Sequence, residues 1–128
     1  MTAKLVKYVA GATAIAANTF VKLSSGLIVE QASATAIDTI GVQLNATVSG
    51  DIAIVCVEGP CQVIAMEAIV AGEYVRPSTA GECAGADAST NVIVGIYYGQ
   101  EVTGTVETVA DNDLITIHLF GNKSMVKA

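Results

Sequence analysis

The sequence predicts an all-β chain: a small closed or nearly closed β-barrel built from two quasi-repeated β units, with a β-sandwich as the alternative. Short runs of Val, Ile and Thr recur throughout, each bounded by Gly, Asn, Asp or Ser, which is the pattern of strands and tight turns. One unit is used twice. Phe20-Val21-Lys22, Gly26-Leu27-Ile28-Val29 and Ile40-Gly41-Val42 return as Tyr74-Val75-Arg76, Gly81-Glu82-Cys83 and Val94-Gly95-Ile96, displaced by 54 or 55 positions, so spacing repeats together with residue type. Strand faces supply the third observation. In Asp51–Val57 both alternating sets are apolar, Ile52, Ile54 and Cys56 on one side and Ala53, Val55 and Val57 on the other, and a strand apolar on both faces is covered on both. Closing the sheet provides one cover and removes exposed edges. In a chain this small, the other cover is expected from a second subunit or another protein.

Taken in order, the first strand is expected at Leu5–Val9, inside a basic N-terminal segment. Thr19–Leu23 and Leu27–Gln31 are divided by the turn residues Ser24-Ser25-Gly26, and Thr39–Leu44 runs into the turn between Asn45 and Gly50. Gly50–Val57 and Cys61–Ala65 flank Gly59-Pro60, and Tyr74–Pro77 stops before Ala80-Gly81. Val92–Tyr98 and Thr103–Val109 follow, and Asp111-Asn112-Asp113 introduces Leu114–Phe120. In that last strand Ile115, Ile117 and Leu119 make an apolar face, while Leu114, Thr116, His118 and Phe120 make a mixed one. The strand pair beginning at Gly50-Asp51 and Asn112-Asp113 is displaced by 62 positions, which places extra residues in the second copy and makes Gly99–Ala110 a candidate loop or hairpin for specialised contacts. Only Met66–Ala71 and Ala84–Ser89 invite helical assignment, and both are too short to pack independently. The expected organisation is an N-terminal arm or strand over 1–15, one β domain over 16–121 with copies at about 16–57 and 70–120, and a C-terminal tail over 122–128.

The chain has 128 residues, a length that suits one domain with a self-standing core. A net charge of −6 argues against nucleic-acid binding, which needs clustered Lys and Arg. Those few cations sit at the ends: Lys4, Lys7, Lys123 and Lys127 lie outside a body in which only Lys22 and Arg76 accompany the twelve carboxylates. Lys4, Leu5, Lys7, Tyr8, Lys123 and Lys127 are therefore the candidate partner contacts, with the N-terminal segment as an arm that reaches a neighbour and docks on an acidic surface. The opening Lys-Leu-Val-Lys superficially imitates a signal peptide, but the stretch after it is mostly Ala, Gly and Thr, too weak for an apolar leader core. No run has the length and hydrophobicity of a transmembrane helix, and no membrane partner is expected.

Chemistry is hard to place. Cys56, Cys61 and Cys83 include no Cys-x-x-Cys pair, so free, partly buried thiols in a reducing cytoplasm are expected and no metal site. Cys56 and Cys61 flank Glu58-Gly59-Pro60, where a hairpin would bring them within disulfide reach. There is neither a nucleophile elbow nor a phosphate loop. The single histidine, His118, lacks a local nucleophile and orienting carboxylate and is read as a surface or interface residue. Asp51, Asp113 and His118 would be the only candidates for a site shared between subunits. Neither a catalytic residue nor a cofactor is expected.

The elements Ala71-Gly72-Glu73-Tyr74-Val75, Thr79-Ala80-Gly81, Ile40-Gly41-Val42 with Val94-Gly95-Ile96, and the closing Asn112–Leu119 strand together resemble the small capsid cement, or decoration, proteins of tailed bacteriophages. The resemblance spans Ala16 to Phe120. It implies a β-rich homotrimer on the capsid exterior that bridges neighbouring major capsid proteins and stabilises them against internal pressure. Assembly on the virion after synthesis in the host cytoplasm, and no catalytic residues, are implied with it. Where the family often carries a Gly-Asp turn, this chain has Asn18-Thr19 and Gly72-Glu73. A virion-associated or glycan-binding β module is the alternative.

Overall fold

The computed structural model describes residues 3–33, 39–78, 80–86, 92–99, 101–102, 105–106, 113–120 and 125–126. Among them every helix or strand element is a strand: β1 (Lys4–Ala10), β2 (Thr19–Ser25), β3 (Ile28–Gln31), β4 (Thr39–Gln43), β5 (Ile52–Ile64), β6 (Tyr74–Pro77), β7 (Cys83–Gly85), β8 (Val92–Ile93), β9 (Gly95–Ile96), β10 (Glu101–Val102), β11 (Thr105–Val106), β12 (Leu114–Leu119) and β13 (Met125–Val126). Ala84 and Gly85 are extended in β7 rather than helical, with 87–89 outside the described residues, and 66–71 runs through bends and irregular backbone into a turn.

Five strands close on themselves. β1 pairs antiparallel with β5, Tyr8 opposite Ala53, and parallel with β3, Val9 opposite Ile28. The circuit continues β3 to β2 to β4 and returns to β5, so each strand has a neighbour on both sides and no edge is left to aggregate. Lys4–Ala10 is thus an integral stave of a barrel. Its removal would open the ring.

β5 then leaves this ring and begins another. Its C-terminal half pairs with β12, Val63 opposite Ile115, and β12 continues through β9 and β6 to β7. A parallel bridge between Ala65 and Cys83, with the Met66 N–H donating to the Cys83 carbonyl at 2.9 Å, closes the circuit. Strand for strand, the second ring repeats the first: β5's second half stands for β1, β7 for β3, β6 for β2, β9 for β4, and β12 for β5's first half. The registers agree too. Phe20 faces Val42 as Tyr74 faces Ile96; Val42 faces Cys56 as Ile96 faces His118; Val9 faces Ile52 as Ile64 faces Leu114. Even the entry turns correspond. Asn18 (φ 60°) and Gly72 (φ 91°) are both left-handed, and their N–H groups donate to Gln43 O and Tyr97 O, each at 2.6 Å. Left-handed backbone is open to Gly and, among other residues, most readily to Asn, which is why these two turns differ in sequence yet share a shape.

The passage between rings is a sharp corner. Cα atoms of Cys56 and Cys61 are 6.1 Å apart, whereas five residues of straight strand would span roughly 17 Å. Gly59 supplies the bend at φ 85° with Pro60 after it. The corner brings the two cysteines within disulfide range, and they are joined, which corrects the expectation of free thiols at these positions. Cys83 remains a thiol inside the second barrel; burial, with Glu67 nearby, pushes its pKa far above the ordinary value and keeps it protonated.

The interior of the first barrel is built from Ala10, Val21, Val29, Ala53 and Val55. A second cluster, with Val63, Val75, Ile115 and Ile117, fills the second barrel and also takes in Phe20, Val42 and Cys56 from the outside of the first. The second cover over β5 is therefore the chain's own other barrel. It replaces the separate subunit that the doubly apolar pattern led us to expect, except at the strand's start, where Ile52 remains 55% exposed.

In the longer part of the second copy, β10 and β11 pair as a small hairpin, Val102 opposite Thr105. β13 lies antiparallel to β8, Met125 opposite Ile93.

Candidate interaction surfaces

Cross-strand register gathers the aromatic residues of the second barrel on one outer face. Tyr74, Ile96 and His118 stand side by side across β6, β9 and β12, and Tyr98 and Phe120, each two residues further along, point the same way. Tyr98 meets His118 edge to face with ring centres 4.9 Å apart, and Tyr74 meets Phe120 likewise at 6.1 Å, the geometry that aromatic quadrupoles favour. The face is nonetheless open. Tyr74, Tyr98 and Phe120 are 43%, 64% and 38% exposed, although they make up half of a complement of four Tyr and two Phe. Its equivalent in the first barrel, Phe20, Val42 and Cys56, is fully buried. One face of the repeated unit is covered once and left bare once.

The structure separates the N-terminal contact candidates. On β1, Leu5 and Lys7 point outward, Lys4 is exposed beyond a register shift at Lys4/Leu5, and Tyr8 turns inward against the first barrel's core. Leu5 is joined on this side of the molecule by exposed Leu27 and Ile28 around β3. Lys123 and Lys127 lie outside the described residues.

Within one chain Asp51, Asp113 and His118 are not brought together. Asp51 accepts the Val48 N–H at 3.0 Å in its own turn, and its carbonyl takes the Ala10 N–H; Asp113 takes the Ala65 N–H in the same manner, so the two acids are equivalent turn residues of different barrels. His118 lies five residues along the strand from Asp113, roughly 17 Å when extended, and its ring is held by Tyr98. Among the described residues no three His, Cys, Asp or Glu side chains converge as a metal site.

Over nearly all of its length the structure is similar to the N base of the head fiber gp8.5 of bacteriophage phi29, with a TM-score of 0.69, 21% sequence identity, and a match that covers 94% of this chain and 98% of that one. The two share a fold. Because nearly all of both chains is matched, the likeness takes in the paired barrels together rather than one barrel motif. No known protein family's sequence profile and no curated protein sequence matches the chain.

The aromatic face was only half visible in sequence. Alternation marks His118 and Phe120 as one side of their strand, but Tyr74 and Tyr98 join them through pairings between residues more than twenty positions apart.

Proposed function

We propose that this chain is a structural virion protein without catalytic activity, a capsid decoration (cement) subunit that binds the outer capsid surface and stabilises it by bridging major capsid proteins. The observation that carries this reading is the likeness, over nearly all of the chain, to a phage head fiber base. Physical features support it. Two closed rings leave few free backbone edges, the disulfide at Cys56 and Cys61 ties one ring to the other, and the side chains best suited to chemistry are spent on turns and packing. As a homotrimer the subunit would present each capsid contact three times, so modest individual contacts add up to avid attachment.

Mixing the purified protein with undecorated capsids tests this. We expect saturable co-sedimentation and a higher temperature of capsid disruption. Binding that does not saturate, with no gain in capsid stability, sinks the proposal.

A further inference from the structure

We infer that the aromatic face of the second barrel is a docking site for the first barrel of another copy of this chain, so that subunits join head to tail. The chain already contains one such joint. The face of the first barrel centred on Phe20 is covered by the seam where β5 and β7 of the second barrel meet: the Phe20 N–H donates to Gly81 O at 2.6 Å, the Ile64 N–H to Asn18 O at 2.9 Å, and Asn18 Nδ2 to Gln62 O at 3.2 Å. Gly81 is pressed so closely that a Cβ there would lie 3.0 to 3.3 Å from Gln31, Phe20 and Thr19.

Both halves of this joint are present a second time, unoccupied. The face equivalent to Phe20, Val42 and Cys56 is Tyr74, Ile96 and His118, with Tyr74 exposed and Ile96 and His118 half-buried. The seam equivalent to β5 and β7 is that of β1 and β3, where Lys7 stands for Gln62, Val9 for Ile64 and Leu27, next to Gly26, for Gly81. Beside Gly26 there is open space, with nothing within 4 Å of an added Cβ. Around it Leu5 and Leu27 are 53% and 66% exposed, a degree of apolar exposure that suits an interface. Lys4 and Lys7 border the seam, and another copy of this chain, with its net charge of −6, is an acidic partner for them.

A specific contact takes on the order of 800 Å² from each partner, about an eighth of this chain's 6552 Å² surface. The joint is heterologous, since different surfaces meet, so successive copies close into a ring when the rotation per step divides a full turn and otherwise extend as a filament. The inference stands on the internal repeat and is independent of any capsid role.

Sedimentation of the full chain, without capsids, tests it. The wild type is expected to form species larger than a monomer. Two folded variants, Tyr98→Asp on the aromatic face and Leu5→Asp/Lys7→Glu on the seam, should each self-associate at least tenfold more weakly. An equimolar mixture of the two retains one intact joint and is expected to give a one-to-one dimer and nothing larger. If Tyr98→Asp fails to fold, Tyr74→Asp takes its place. A wild type that stays monomeric overturns the inference, as does a variant that assembles like the wild type or a mixture that yields no dimer.

Discussion

Phe20→Ala is expected to lower the free energy of unfolding by about 3–5 kcal/mol, whereas Tyr74→Ala, at the equivalent position of the second unit, should cost no more than about 1.5 kcal/mol. The side chains resemble each other and their strands share a register. Their surroundings differ: Phe20 is 0% exposed beneath the second barrel, and Tyr74 is 43% exposed with an edge contact to Phe120. Chemical denaturation at concentrations where the chain is monomeric measures both. Equal costs would mean that the second barrel does not cover the first as described. A large loss at Phe20 would also explain why the chain carries two units at all, because one barrel alone would expose Phe20, Val42 and Cys56 together.

Gly41→Ala and Gly95→Ala are each expected to cost about 3 kcal/mol, the upper part of the range for overpacking, or roughly a 10 °C drop in Tm for a chain of this size. A Cβ at Gly41 would fall well inside contact distance of the Cys56 carbonyl oxygen, and one at Gly95 would do the same at His118. Those carbonyls are equivalent in the two rings, so the crowding is a property of the repeated unit. Neither glycine has a positive φ, which leaves the close approach of β4 to β5 and of β9 to β12 as the cause. An obstructing main-chain atom has less room to yield than a flexible side chain. A Tm shift below about 2 °C at either site would show that the rings are wider than described.

These two glycines also show how much of the fold was legible. Ile40-Gly41-Val42 and Val94-Gly95-Ile96 stood out as a repeat because backbone crowding permits only Gly at the centre, and strand-forming neighbours flank it. The same holds at Asn18 and Gly72, where a shared left-handed turn allowed two different residues. Other correspondences left no such mark. β1 and the second half of β5 play identical roles, yet Leu5, Lys7 and Tyr8 correspond to Pro60, Gln62 and Val63, because each position needs only to be inward or outward. The unit therefore seemed to begin after residue 15, and Thr2–Tyr8 read as an arm. Glu58-Gly59-Pro60 was visible as a turn, but a turn does not say that the strand on its far side joins a new ring. The cover over β5 was correctly demanded by its two apolar faces. Its source, Phe20 and Val42 meeting the second barrel, depends on contacts far apart in sequence that alternation does not encode. The aromatic face was hidden for the same reason: His118, Tyr74 and Tyr98 become neighbours only once β6, β9 and β12 are in register.

The direct test of the capsid role is a pair of three-dimensional reconstructions of the same capsid, with and without the protein. Difference density that holds the two joined barrels, fixed to the outer surface at symmetry-related positions and touching more than one major capsid protein, is the result expected. Ordered density confined to the inside of the shell, or none at all under conditions where the protein is folded and in excess, would contradict it.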